Sequence, residues 1–364
     1  MKPSVVEILQ KLLIYPSITP KECGIFDYVR SLLEGFEAIE VEHEGVKNLL
    51  LYRRFGEGDH WCLAGHIDVV PPGEGWSVDP FGAELKEGYL YGRGAQDMKS
   101  GVAAMISALA KIDHFPGTLS LLLTSDEEGE AKWGTQLMLE HLRERGFLPK
   151  VAIVTEPTSE ERFGDTIKVG RRGSINGKLI IHGKQGHVAY PSKCLNPVEL
   201  IAPRLAQIAG YNLDAGDEFF EPSKLVITDI RGGIEAVNVT PSDLKILFNV
   251  RHSTQTSAKE IEDYLHQLLQ GIPYTLEIKP SSKPFLTSRE SVVVKRVSEA
   301  VKRVVGVAPK LSTGGGTSDA RYFAQFGVEV VEFGVVNDRI HALDERVALL
   351  EVEALERVLL EALE

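Results

Sequence analysis

Residues 118–128, TLSLLLTSDEE, set an apolar run of Leu119, Leu121, Leu122 and Leu123 directly against Asp126, Glu127 and Glu128. Three adjacent carboxylates repel one another, so gathering them away from water raises their pKa values unless cations lie nearby. The pattern asks for metal. Matching ligands occur elsewhere: His66 and Asp68 in WCLAGHIDVV, Asp97 in YLYGRGAQDMK, Glu156 after the short apolar VAIV, and His341 after a further apolar run at 328–333. His66, Asp97, Glu128, Glu156 and His341 supply two imidazoles and three carboxylates. One metal could take a His, a Glu and one oxygen of a shared Asp, and a second could take the other set. Such N/O sites with an open position suit zinc, and two metals sharing a water make a strong nucleophile near neutral pH. Glu127, left over beside Glu128, has the natural role of general base and then general acid. Asp68, two residues past His66, can hold the imidazole in one tautomer and leave its other nitrogen for metal. On shape alone Asp97 reads equally as a first-turn acid of the helix that follows it.

These residues need strand ends to carry them. A short continuous apolar run reads as a strand buried on both faces, and ligands of open α/β sheets bind just past the C-terminal ends of such strands. The spacing predicts helices over 4–13, 25–33, 100–112, 134–145, 291–304 and 347–363, and strands over 48–52, 61–70, the leucine-rich run 119–123, 151–154 and 328–333. In a strand over 61–70, His66 and Asp68 would project from one face, and Pro71-Pro72-Gly73 would end it. The pattern changes at Ser174. Strand 174–182, helix 196–209, strands 224–230 and 244–252, helix 258–269 and strand 274–280 make a βαββαβ order, the split unit with helices on one face of an antiparallel sheet. The expected fold is α/β: a mainly parallel-sheet hydrolase domain over 1–173 and 286–364, interrupted by a ferredoxin-like domain over 174–285. Gly92 and Gly94 lack the third glycine and the Lys-Ser/Thr ending of a phosphate loop. The turn Gly314-Gly315-Gly316 can expose backbone N–H groups to a carboxylate, and Arg171 can grip one through two hydrogen bonds.

A net charge of −12 argues against a broad nucleic-acid or anionic-membrane surface, though not against a small anionic substrate met by a local cluster such as Arg171-Arg172. Cys23, Cys62 and Cys194 are odd in number and widely spaced, with no C-x-x-C, which suggests a reducing compartment and no disulfide framework. The N-terminal stretch MKPSVVEILQKLLIYPSI is amphipathic and carries Glu7, without an apolar core and cleavage site of a signal peptide. The expectation is a cytoplasmic protein.

The segments GHIDVVPPG, GRGAQDMK, TSDEEG, TEPT and the IHALDE around His341 resemble those of the two-zinc amidohydrolases that include acetylornithine deacetylase, aminoacylases and carboxypeptidases. The resemblance runs the chain's length. It implies that Asp97 bridges two zincs, with cobalt possible in place of one, His66 and Glu156 holding one ion and Glu128 and His341 the other. Asp68 would orient His66, and Glu127 would be the base. The inserted domain would form a homodimer and bring His187 to the partner's site to polarise the amide oxygen. Arg171, Ser174, Gly316, Thr317 and Asn337 would contact substrate from one subunit, Tyr190 and Asn238 from the other. Two longer segments, GRRGSINGKLIIHGKQGHVAYP and TGGGTSDAR, favour within this family the members that hydrolyse N-succinyl-LL-2,6-diaminopimelate to succinate and LL-2,6-diaminopimelate, a step of lysine and diaminopimelate biosynthesis. Ile67 and Ala320 depart from the commoner Thr and Gly, which bears on packing or substrate fit and removes no ligand. Alternatives are another deacylase on the same scaffold, such as an acetylornithine deacetylase, and a non-enzymatic binding protein. The second would be expected to have lost a ligand or the base, and this chain has lost neither.

Overall fold

The computed structural model describes residues 2–364. Its chain divides into two compact units: one comprises the chain through Gly170 together with Leu286–Ser312 and Ser318–Glu364, the other Arg171–Phe285 and Thr313–Thr317. The first unit is built on an eight-stranded sheet in the order Glu37–His43, Val46–Arg54, Thr118–Thr124, His60–His66, Val151–Val154, Glu329–Glu332, Thr166–Lys168, Lys310–Ser312. From Thr118–Thr124 to Glu329–Glu332 neighbours run parallel, and a parallel sheet with both faces covered needs apolar residues at consecutive positions. Thr118–Thr124 meets that need, with all seven positions buried.

Register then decides what gathers beyond the sheet. His66 stands opposite Thr124, Ala64 opposite Val154, and Val154 opposite Glu332. The segments following these strands therefore emerge at one edge, and they carry Glu127, Glu128 and Glu156. The strand predicted over 61–70 ends at His66, so the two-residue spacing does not place Asp68 on its face. Ile67 N–H still donates to Thr124 O, and the chain then turns to a bridge between Ile18 and Val69.

Helices brace this edge. Ser100–Lys111 packs against Val5–Leu13 and Leu349–Leu363, and the latter packs on Val292–Val305. Val5–Leu13 begins with a capping box in which Ser4 and Glu7 satisfy each other's backbone N–H groups. Among the described residues no helix is long and apolar enough to cross a membrane.

The second unit has a four-stranded antiparallel sheet, ordered Lys224–Gly232, Asp243–His252, Gly173–His182, Tyr274–Ser282. Burial in Asp243–His252 alternates residue by residue, as a strand with one covered face requires. Ile246, Phe248 and Val250 meet Ile175, Leu179 and Ile181 in a core with Ile261 and Leu265 of helix Ala258–Leu268. The helix predicted over 196–209 is instead a short α-helix, Pro197–Ile201, continued as a 3₁₀ turn, Ala202–Gln207. Pro203 lacks the N–H that an α-helix would need there. Thr313–Thr317 joins this unit through Thr313, whose hydroxyl donates to Phe219 O, and through Gly314, whose carbonyl accepts from Arg171 Nη1 at 2.9 Å.

Candidate metal centre

His66, the last residue of its strand, is buried, and its Nδ1–H donates at 2.8 Å to the backbone carbonyl of Asp68. This fixes the tautomer and turns Nε2 toward Asp97 Oδ1, 3.1 Å away. The orienting group is thus Asp68's peptide oxygen; its carboxylate lies 3.7 Å from Nδ1. That carboxylate instead accepts the N–H groups of Glu127 and Glu128 at 3.3 and 3.1 Å, pinning the acidic turn to the strand that bears His66. Burial pushes the Asp68 carboxyl up to about 6.

Asp97 divides its two oxygens. Oδ1 faces His66, and Oδ2 lies 3.3 Å from Nε2 of His341, whose same nitrogen is 2.8 Å from Glu128 Oε1. Glu156 Oε1 stands 3.9 Å from His66 Nε2. Each half of the site therefore has one imidazole, one glutamate and one oxygen of the shared aspartate. Candidate ligand atoms of His66, Asp97 and Glu128 all lie within 4.8 Å of one another. Asp126, in contrast, turns away and accepts the N–H groups of Lys132 and Trp133, so it belongs to the loop's structure.

The electrostatics describe a site of buried, crowded carboxylates. Burial, and then the carboxylates around them, raise Glu127 and Glu156 well above the usual carboxylate range. Burial would also raise Asp97, yet hydrogen bonds from His341 and His66 hold it well below. Hydrogen bonds to Asp97 and Glu128 push His341 up to about 10. Burial opposes a charge on His66, but its bond to Asp97 and the charge of Glu156 outweigh it and raise this group too. Donors of nitrogen and oxygen in two such halves fit a pair of divalent metal ions.

The model of Peptidase family M20/M25/M40 matches residues 62–364. The chain belongs to this family. Among M20 relatives it is 98% identical, over 363 residues and the full length of both chains, to succinyl-diaminopimelate desuccinylase of Wolinella succinogenes. It is 56% identical to the desuccinylase of Nitratiruptor, over 96% of each chain. In fold it is similar to the aminopeptidase PepT of Bacillus cereus, with a TM-score of 0.81 at 21% identity over 99% of this chain and 97% of that one. It is also similar to YXEP of Bacillus subtilis, a dinuclear metal-binding M20 peptidase, with a TM-score of 0.72 at 16% identity over 98% and 96%.

Of the other predicted site residues, Asn337 lies in the first unit beside the Glu156 segment, its N–H on Ser159 O at 3.1 Å and its amide 3.4 Å from Pro157 O. The rest lie in the second unit. Arg171 binds the Gly314 carbonyl of the turn that carries Gly316 and Thr317, and Ser174 accepts from Asn249 Nδ2 at 3.1 Å. His187, Tyr190 and Asn238 gather where Gly186–His187 pairs with Val239–Thr240: the rings of His187 and Tyr190 are 5.9 Å apart, and Asn238 O accepts from Val188 N–H. Tyr190 is exposed. Sequence reasoning gave no role to Asp319, a buried acid bonded to Thr135 with Oδ1 unpaired, whose charge acts on Glu127. It passed over Glu345 as well, four residues beyond His341 in the IHALDE segment.

Proposed function

We infer that the chain hydrolyses N-succinyl-LL-2,6-diaminopimelate to succinate and LL-2,6-diaminopimelate, the desuccinylation of lysine and diaminopimelate biosynthesis, and does so in the cytoplasm. The observation that carries this is identity of 98% with a desuccinylase over the whole chain, including every residue range that contributes to the site. In this reading His66 and Glu156 would hold one zinc, His341 and Glu128 the other, and Asp97 would serve both, with cobalt able to replace one. When bound, the two ions supply Lewis acidity, polarising the amide carbonyl and acidifying water.

The chain's own residues do the rest. Glu127 accepts a proton from the attacking water and returns it to the leaving amine nitrogen. Its burial among Asp319, Asp97 and Glu128 raises its proton affinity, which suits a group that must both take and give. Asp68 sets the direction of His66 through its carbonyl and the position of Glu127 through its carboxylate. Arg171, Ser174, Gly316, Thr317 and Asn337 bind the substrate's carboxylates and succinyl group. The inserted unit forms a homodimer in which His187, with Tyr190 and Asn238, serves the partner's site. There His187 donates to the oxygen that gains charge as the amide is attacked.

A substrate panel with zinc added tests the assignment. Succinyl-diaminopimelate should be turned over far faster than acetylornithine or simple dipeptides. Preference for either of the latter would move the chain to another branch of the family.

A further inference from the structure

Arg93 and Glu345 offer no atom to the ligand set, yet they join three of the segments that form it. Glu345 is fully buried, 252 residues from Arg93 in the chain, and its Oε2 accepts Arg93 Nη1 at 2.6 Å and Gly94 N–H at 3.1 Å. Its Oε1 accepts the N–H groups of Gln96 and Asp97 at 2.8 and 3.1 Å. Asp97 and Met98 have non-helical backbone angles, so this turn cannot satisfy its N–H groups by helical bonds and needs an outside acceptor. Arg93 is itself 2% exposed, and its Nη2 reaches the carbonyls of Pro72 and His341, each at 3.2 Å. Pro72 lies just beyond His66 and Asp68, and His341 is four residues before Glu345.

A buried ion pair is by itself poor evidence of stabilisation, since desolvation offsets the attraction. What distinguishes this one is the destination of its remaining hydrogen bonds. They go to the backbones of Gly94, Gln96, Asp97, Pro72 and His341, and so hold the residues whose side chains meet as His341 Nε2 and Asp97 Oδ2, 3.3 Å apart. We propose that the Arg93–Glu345 pair is the positioning element of the metal centre. One carboxylate and one guanidinium fix the separation of the bridging aspartate from His341 before any ion arrives. This rests on the reading of His66, Asp97, Glu128, Glu156 and His341 as ligands.

The test is metal binding by the apoprotein, measured by competition with a chromophoric chelator for Zn²⁺ and by the visible absorption of added Co²⁺. Glu345→Gln removes one acceptor oxygen and aims an NH₂ group at backbone N–H donors. It should weaken ion binding about 10–100-fold, the usual effect of losing a partner that orients a ligand, and should change the Co²⁺ absorption. Arg93→Lys keeps the charge but loses the planar fork, so it should weaken binding too. If Glu345→Gln does not fold, Arg93→Lys carries the comparison. Glu356→Gln is the control: this buried acid of the same unit binds Ser107 and Lys111, away from the site. It should lower the apoprotein's melting temperature while leaving affinity and spectrum unchanged. Wild-type affinity and spectrum in Glu345→Gln and Arg93→Lys would overturn the proposal, whatever their melting temperatures. A wild-type chain that takes up no ion would overturn the ligand reading, and this inference with it.

Discussion

Glu127 and Glu128 are chain neighbours whose N–H groups share the Asp68 carboxylate, but their side chains differ in company. Glu128 is bonded to His341, whereas Glu127 is buried beside the like charges of Asp319, Asp97 and Glu128. Glu127→Gln should therefore retain about two metal ions per chain and lose roughly 10²–10⁴-fold in turnover, the usual contribution of a general acid–base group. Glu128→Ala should lose metal instead. Metal analysis with activity separates the two, and full metal in Glu128→Ala would undo the assignment. The same residues set a pH dependence. His341, held up to about 10, carries its proton throughout the neutral range, and Glu127 and Glu156 are raised as well. Ions must displace protons to bind. Metal affinity should rise with pH between about 6 and 9, by about one log unit per pH unit for each proton released, since ligands bind deprotonated. Calorimetry in buffers of different ionisation enthalpy would register the released protons, and a pH-independent affinity would contradict the account. At this scale the strand-end setting of His66, Glu128 and Glu156 was legible in the sequence. The separate fates of Asp126 and of the Asp68 carboxylate were not, because three acids in a row look alike until the loop's N–H groups are in place.

Elements hold these side chains through close approach. Helix Ser100–Lys111 meets the Glu156 segment at Gly101, where a Cβ would collide with the hydroxyl and carbonyl oxygen of Thr155, and a Cβ at Gly334 would likewise collide with the Glu156 carbonyl oxygen. Helix propensity favours Ala over Gly by about 1 kcal/mol, whereas overpacking costs about 1–3 kcal/mol. Gly101→Ala should be destabilising despite its better propensity, because the atoms it meets include backbone. Urea unfolding checks the sign, and a gain in stability would show that the helix can shift without disturbing Thr155. Apolar runs made the central strands readable from sequence, as at 119–123, whereas the alternating burial of Asp243–His252 is blurred in the sequence by Leu247. Glu37–His43 escaped because its side chains are largely exposed and leave no apolar signature. The 196–209 helix was over-read because periodicity outweighed Pro203, whose missing N–H determines the 3₁₀ continuation.

The molecule as a whole sorts its chemistry by unit: candidate ligands and Glu127 lie in one, His187 in the other. If His187 acts across a two-fold interface, Glu127→Ala and His187→Ala homodimers should each be nearly inactive. A heterodimer of the two should recover up to roughly half of wild-type activity, since one of its two sites is complete by symmetry. Differently tagged chains purified as the heterodimer provide the measurement; persistent inactivity would mean that His187 acts within its own chain or not at all. The ferredoxin-like unit was recognisable from the order of its elements, but the membership of Thr313–Thr317 was not. That stretch was expected to stay with the hydrolase domain, whereas hydrogen bonds to Phe219 and Arg171 tie it to the second unit.

The chain consequently passes between the units at four points instead of two, after Gly170, Phe285, Ser312 and Thr317. A transplant of 171–285 into another host would be an incomplete module, arriving without the five-residue turn that receives Arg171 and leaving behind a scaffold with that turn unanchored. Recombination among relatives would exchange this unit cleanly only when the distant turn travelled with it, so the two stretches form a single heritable piece despite their separation in the gene.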